Sequence, residues 1–248
     1  MELTILLPVR NEGLNLKIML QILRAVVEES HEVLVVVDNA EDESIPVVEK
    51  IQPSYPELKW VLNTKGPGVV NALRAGVEAA EGEAVLIFAA DEVGPVLAVE
   101  DMMALLRQGC EFVSCTRYAH GGRRLGGSLI GGILSRGANF LFRALTRSPF
   151  SDATTGIKLF RRDVFRKLDL ESRPVGWVCA FEMAIKAQQA GMKLGEVPII
   201  SIDRLYGGKS TFRPLPWIRE YGRWFVRGLQ TRSQGTHKIH VRVPDHFR

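Results

Sequence analysis

Ala84-Val-Leu-Ile-Phe-Ala-Ala-Asp91-Glu92-Val-Gly-Pro95 is an apolar run that stops abruptly at two acids, a glycine and a proline. Five consecutive apolar residues after Glu83 read as a strand buried on both faces, as in a parallel sheet. Ligands of open α/β sheets are met beyond the carboxyl ends of the strands, so Asp91 and Glu92 stand where a metal or a polar substrate would bind. The competing reading is that both acids only begin the turn into a helix near Leu97.

Upstream, three further strands end in polar loops at the same edge. Leu3 to Pro8 runs into Val9-Arg10-Asn11-Glu12 and then a helical pattern through Leu16, Met19, Leu20, Leu23, Val26 and Val27. Val33 to Val37 ends in Asp38-Asn-Ala-Glu-Asp42-Glu-Ser44, whose acids can accept hydrogen bonds from ribose hydroxyls or base N–H groups. Capping of a helix over Ser44 to Ile51 accounts for Ser44 but not for so many acids and amides together. After a strand at Lys59 to Asn63, Lys65-Gly-Pro-Gly68 opens a helix reaching Ala80. Its glycines admit a phosphate to the backbone, and Lys65 adds a point charge. It is neither a Walker loop nor the dinucleotide fingerprint. A helix from Leu97 to Arg107 and a strand from Glu111 to Cys115 complete a doubly wound, mostly parallel α/β half, with helices on both faces.

The texture changes at Thr116. Residues 1–115 carry 8 Lys/Arg against 19 Asp/Glu, residues 116–167 carry 11 against 2, and residues 204–248 carry 10 against 2. The net charge of +4 hides this segregation, which suits an anionic partner for the second half. The basic residues sit in glycine loops without a nucleic-acid motif, which argues against nucleic acid. Arg117 to Gly127 is a glycine-rich loop. Ser128 to Leu145 reads as an amphipathic helix with Leu129, Ile130, Ile133, Leu134, Leu141, Phe142 and Leu145 on a common side. Ser151-Asp152-Ala-Thr-Thr-Gly156 is a polar turn into a strand, Ile157 to Phe160. A helix containing Phe181 and Glu182, a strand from Glu196 to Ile202 and a second basic glycine loop, Asp203 to Ser210, follow. Glu182 reads as the partner of a buried arginine. Three cysteines without pairing or metal spacing favour a reducing, cytoplasmic setting. The most apolar long segment, 125–145, is broken by Arg136, Arg143 and five glycines, against a membrane span. Trp217 to Leu229 then repeats arginines every four residues against an aromatic side. That pattern suits a helix lying in an anionic membrane interface, and packing against the protein or a second subunit explains it nearly as well.

Taken in order over residues 1–212, these segments resemble the family 2 glycosyltransferases of the GT-A fold, particularly their dolichol-phosphate mannose synthase-like branch. Leu7-Pro-Val-Arg-Asn-Glu12, Asp38 to Ser44, Lys65 to Asn71, Arg117-Tyr118, Ser135 to Asn139, Asp152 to Gly156, Glu196-Val-Pro198 and Arg204 to Ser210 all match stretches shared in that family. The family's Asp-x-Asp reads Ala89-Ala90-Asp91 here, so its first acid is missing. The resemblance implies a GT-A domain over 1–212, with a nucleotide half to residue 115 and an acceptor half from 116, followed by a helix and basic tail over 213–248. It further implies an inverting hexosyltransferase using a GDP- or UDP-linked sugar. Pro8, Arg10, Glu12, Asp38, Asp42, Lys65, Gly68 and Asp91 would then surround the nucleotide. Mg²⁺ or Mn²⁺ would be held by Asp91 and Glu92, and Arg117, Arg204, Lys209 and Ser210 would meet the diphosphate or the acceptor.

Displacement at the anomeric carbon builds negative charge on the leaving diphosphate, which a cation or cationic side chains must stabilise. Asp152, Arg117 and Arg204 are the expected catalytic residues. A polyprenyl phosphate acceptor is already anionic and needs little base help. A hydroxyl acceptor needs a carboxylate, for which Asp152 is the candidate, with an Asx-turn as its alternative role. Transfer to a soluble acceptor, or sugar-nucleotide binding without catalysis, are the competing functions. A peripheral place on the membrane surface goes with the first reading, and an oligomer is left open.

Overall fold

A computed structural model describes residues 1–126, 129–202, 214–230 and 238–245. The continuous apolar runs become the strands. In chain order, β1 (Leu3–Val9), α1 (Gly13–Val26), β2 (His31–Val37), α2 (Ser44–Ile51), β3 (Leu58–Leu62), α3 (Val69–Ala79), β4 (Ala84–Ile87), α4 (Val99–Arg107) and β5 (Phe112–Thr116) form the doubly wound half. Then follow β6 (Arg123–Leu125), α5 (Leu129–Thr146), β7 (Lys158–Arg161), α6 (Arg162–Leu168), α7 (Val178–Gln189), β8 (Leu194–Pro198), β9 (Ile200–Ile202), α8 (Pro214–Gln230) and β10 (Ile239–Val241).

Eight strands lie in one sheet in the order β10-β8-β5-β7-β4-β1-β2-β3. The chain moves outward from β1 to β3 and returns to β4 on the other side of β1, so the order reverses between β1 and β4. That reversal opens the crevice where α/β sheets receive ligands, and it lies at the end of the Ala84 strand. Every strand of this sheet is parallel to its neighbours except β7, which runs antiparallel between β4 and β5. One core cluster packs α1, α2 and α4 on one face. The other packs α3, α6 and α7 with Phe142 of α5 and Trp224 of α8.

Several expectations change. The glycine-rich segment after Thr116 is not an open loop throughout, because β6 pairs in parallel with β9 in a separate two-stranded sheet. The expected strand from Glu196 to Ile202 is two strands, β8 and β9, with only the first in the main sheet. The polar tail contributes β10, which pairs with β8 at the sheet edge. The helix expected from Leu97 begins as a 3₁₀ turn, Gly94–Ala98, whose Gly94 is needed because a Cβ there would lie 2.0 Å from the Ile200 carbonyl oxygen.

The two amphipathic helices of the basic half also face differently from their patterns. On α5, Phe142 is buried, but Ile133, Leu134, Leu141 and Leu145 are exposed, joined by Phe140 at 71%. Of the described members of that common apolar side, only Phe142 enters the core. On α8 the aromatic side turns inward: Trp224 is buried, and Tyr221 and Phe225 pack against the second core cluster. Phe142 meets Phe225 edge-on at 5.5 Å, locking the two helices together. The packing alternative for α8 therefore holds for its aromatic residues. Among the described residues no helix is long and apolar enough to cross a membrane.

Candidate active site

On the β1–β3 side, the acidic loop after β2 is organised by its own carboxylates. Asp38, half-buried, accepts the Asn63 side-chain amide at 2.8 Å and the Gly68 N–H at 3.0 Å. It thereby ties the second loop to the third. Gly68 has a left-handed φ of 105°, and a Cβ there would lie 2.7 Å from Cβ of Pro174, so only glycine fits. Asp42, 1% exposed, accepts the N–H groups of Asn11, at 3.1 Å, and Ser44, at 2.9 Å. It shapes the loop from within. Ser44 is not a helix cap. Its hydroxyl accepts the Glu12 N–H at 3.1 Å, joining the first loop to the second.

Glu12 is half-buried and accepts the Asn15 amide, Pro8 sits at the end of β1 opposite Val36, and Arg10 is exposed. Lys65, at the mouth of α3, pairs with Glu78 at 2.6 Å. Asp91 and Glu92 are half-buried in the turn beyond β4, where the Glu92 N–H donates to the Ala89 carbonyl. No group of three or more His, Cys, Asp or Glu that could hold a metal occurs among the described residues. Two adjacent carboxylates nevertheless suit a hard cation that takes one or two from protein and fills its shell with water and phosphate oxygen.

On the β5–β8 side, the turn after α5 holds a buried ion pair. Asp152 is fully buried and accepts Nε of Arg117 at 2.7 Å and Nη2 at 3.0 Å, a two-pronged pair. It also takes the Thr154 N–H and hydroxyl, so the expected Asx-type turn exists alongside the ion pair. Arg117 is 14% exposed and also donates to the Thr154 hydroxyl, which in turn accepts the Asn139 amide. Burial opposes charge on both partners. It is outweighed on Arg117 by the charge and hydrogen bonds of Asp152, which hold the guanidinium cationic, above the ordinary arginine value. On Asp152 it is outweighed by Arg117, with help from Lys158, and the carboxyl lies below its usual value.

Two buried ionisable residues beneath this pair carry no role in the sequence reading. Lys158 donates to the Ser114 hydroxyl at 2.7 Å, and burial brings its pKa down to about 8. Glu196 accepts the Ser151 N–H at 2.9 Å and hydroxyl at 2.8 Å, and burial pushes its carboxyl up to about 7. Lys158 had one available signal: a lysine in the strand that follows the Asp152 turn. Among the described residues Glu182 is partnered by a lysine and not by the expected arginine. It accepts the N–H groups of Glu171 and Ser172 and pairs with Lys186 at 3.1 Å. Arg204, Lys209 and Ser210 lie outside the described residues. The structure thus brings Arg117 and Asp152 into contact and gathers Glu12, Asp38, Asp42 and Gly68 into one bonded set of loops.

Solved structures of this architecture include glucosyl-3-phosphoglycerate synthase from Mycobacterium tuberculosis in complex with Mn²⁺, UDP and glucosyl-3-phosphoglycerate. It matches with a TM-score of 0.63 at 18% identity, over 93% of this chain and 79% of that one. The same protein in complex with phosphoglyceric acid also matches at 0.63 and 18%, over 94% and 82%. At such identity the likeness concerns the fold, which is GT-A. Curated relatives include a dolichol-phosphate mannosyltransferase of Pyrococcus furiosus, 25% identical over 232 residues, covering 90% of this chain and 64% of that protein. Glycosyltransferase AglD of Haloferax volcanii is 25% identical over 210 residues, covering 80% and 32%. The chain thus spans about a third of the one and under two thirds of the other. The family model described as glycosyl transferase family 2 matches residues 4–169, from the first strand through the Asp152 turn, and the chain belongs to that family.

Proposed function

We propose that this chain transfers a hexose from a GDP- or UDP-linked sugar to a polyprenyl phosphate of dolichyl or undecaprenyl type. The observation that carries the acceptor is the state of Asp152. Its carboxylate is buried, depressed in pKa and taken up by Arg117, which suits holding a guanidinium better than removing a proton from a hydroxyl. An acceptor that arrives as an anion needs no base, and a fixed arginine gives it a counter-charge. Relatives named dolichol-phosphate mannosyltransferase support the same choice.

Asp38 and the Gly68 loop would receive the base, ribose and diphosphate, with Pro8, Arg10, Glu12, Asp42 and Lys65 lining or supporting that pocket. Asp91, helped by Glu92, would hold Mg²⁺ or Mn²⁺, which supplies charge to the leaving diphosphate. Arg204, Lys209 and Ser210 are proposed to close over the phosphates. Peripheral membrane association is part of this reading, on different residues from the aromatic side of α8. α5 exposes Ile133, Leu134, Phe140, Leu141 and Leu145, and α8, which meets α5 through Phe142 and Phe225, exposes Ile218, Val226 and Leu229, with Arg136, Arg143 and Arg219 exposed on the same two helices. Exposed apolar side chains together with arginines suit an anionic bilayer.

A soluble phosphorylated acceptor is the second reading, favoured by the solved relatives that hold phosphoglyceric acid. Incubation with UDP- and GDP-sugars, each with a short-chain polyprenyl phosphate or with soluble sugar phosphates, separates the two. Sugar-labelled lipid is the expected product. Turnover with soluble acceptors alone would transfer the assignment to the second reading, and no turnover with any pair would favour a binding module.

A further inference from the structure

Beneath the Arg117–Asp152 pair lies a row of polar side chains with no solvent contact. Lys158 on β7, Ser114 on β5 and Glu196 on β8 are direct cross-strand partners, Ser114 being in register with both. Their exposures are 0%, 0% and 1%. Burying a lysine and a glutamate is costly unless they are well paired, and an apolar trio of similar volume would fill the sheet at least as stably. The geometry above the row gives the burial a consequence.

Glu196 accepts three bonds from the turn: the Ser151 N–H, the Ser151 hydroxyl and, at 3.4 Å, the Asp152 N–H. Lys158 donates to Ser114 and, at 3.4 Å, to the carbonyl of Ala153. The Ser151 hydroxyl also meets Thr116 at 2.6 Å, two residues up β5 from Ser114. The backbone on both sides of the Asp152 side chain is therefore bonded to sheet residues, and Asp152 in turn fixes Arg117. The charged and titratable groups around the row are Asp152, Arg117 and Cys115, with the Phe150 ring against Lys158.

We propose that Lys158 and Glu196 are positioning residues: the row Lys158–Ser114–Glu196 is the platform that holds Asp152, and through it the Arg117 guanidinium, in the crevice. This rests on the reading of Arg117 as the group that meets the acceptor or diphosphate, and its test is independent of turnover. In a buried polar network, removal of one member loosens the groups it orients.

The test uses the full chain with Glu196→Gln, which keeps an acceptor and the side-chain shape, and Lys158→Met, which keeps the packing. Phenylglyoxal modification of each arginine is followed by peptide mass spectrometry, with the exposed Arg10 and Arg136 as internal controls. The expected result is a several-fold faster modification of Arg117 in both variants, with the control arginines unchanged. Where turnover is measurable, kcat falls about tenfold with KM for the sugar nucleotide unchanged. An Arg117 rate equal to wild type in both variants, or a uniform rise at all arginines, would overturn the platform. If no sugar nucleotide is turned over, the assignment of function fails while the modification rates still decide the positioning role.

Discussion

The two sides of the crevice hold their carboxylates in opposite ways. On the β1–β3 side Asp38 is half-buried and accepts the Gly68 N–H and the Asn63 amide, while Asp42 is buried and accepts two backbone N–H groups. On the β5–β8 side Asp152 and Glu196 are buried together with Arg117 and Lys158. Backbone N–H groups carry no net charge, so Asp38 has no cationic partner in these bonds and, at a partly open surface, can still accept from a polar ligand. Asp152 is neutralised by its partner and serves to hold a cation. Under the proposed function, one side receives the nucleotide and the other keeps a positive charge in place while negative charge develops on the leaving diphosphate.

That contrast is broken most sharply at Asp152. Asp152→Ala leaves a buried guanidinium unpaired, which costs about 3–5 kcal/mol, and turnover is expected to disappear. Urea unfolding measures the first, and a change under 1 kcal/mol would show that the pair is not a buried one. Asp91→Ala comes next. Turnover with Mg²⁺ or Mn²⁺ should fall about 100-fold, the scale of removing one charge-stabilising group, while nucleotide affinity in EDTA stays at the wild-type value. Full wild-type turnover in EDTA would instead assign leaving-group stabilisation to the arginines alone.

Asp38→Ala should weaken nucleotide binding about tenfold, roughly one charge-assisted hydrogen bond, without unfolding the protein. Calorimetric titration with UDP and GDP reads this, and unchanged affinity for both would remove Asp38 from the pocket. A smaller effect comes from pH. Glu196 is raised from 4.5 to about 7, so the folded chain keeps a proton that the unfolded chain loses, and stability falls as pH climbs between those values. Lys158, lowered from 10.5 to about 8, gives stability that rises again from pH 8 to 10.5. A Tm series should therefore show a shallow trough near pH 7–8, and Glu196→Gln should flatten its acid limb. The smallest stability change is expected from Leu134→Ser with Phe140→Ser, since both residues are exposed. Tm should hold while co-sedimentation with anionic vesicles is lost, and equal vesicle binding by variant and wild type would discard α5 as the membrane face.

The sequence by itself determined the order of elements from β1 to β5 and the loops in which Asp38, Gly68 and Asp91 sit. Strands buried on both faces read as unbroken apolar runs, amphipathic helices repeat at 3.6 residues, and the ends of parallel strands line one edge whatever the neighbours do. Only the tertiary structure decided the antiparallel insertion of β7, the β6–β9 pairing and the addition of β10 to β8, because pairing partners lie 44 to 77 residues apart and short strands carry little pattern. The outward stripe of α5 and the inward aromatics of α8 were likewise undetermined, since an amphipathic pattern gives a face but not what covers it. Asp152 was legible as a polar turn residue. Its partner 35 residues away, and the Lys158–Ser114–Glu196 row beneath it, exist only through the register of three strands, which no local spacing encodes.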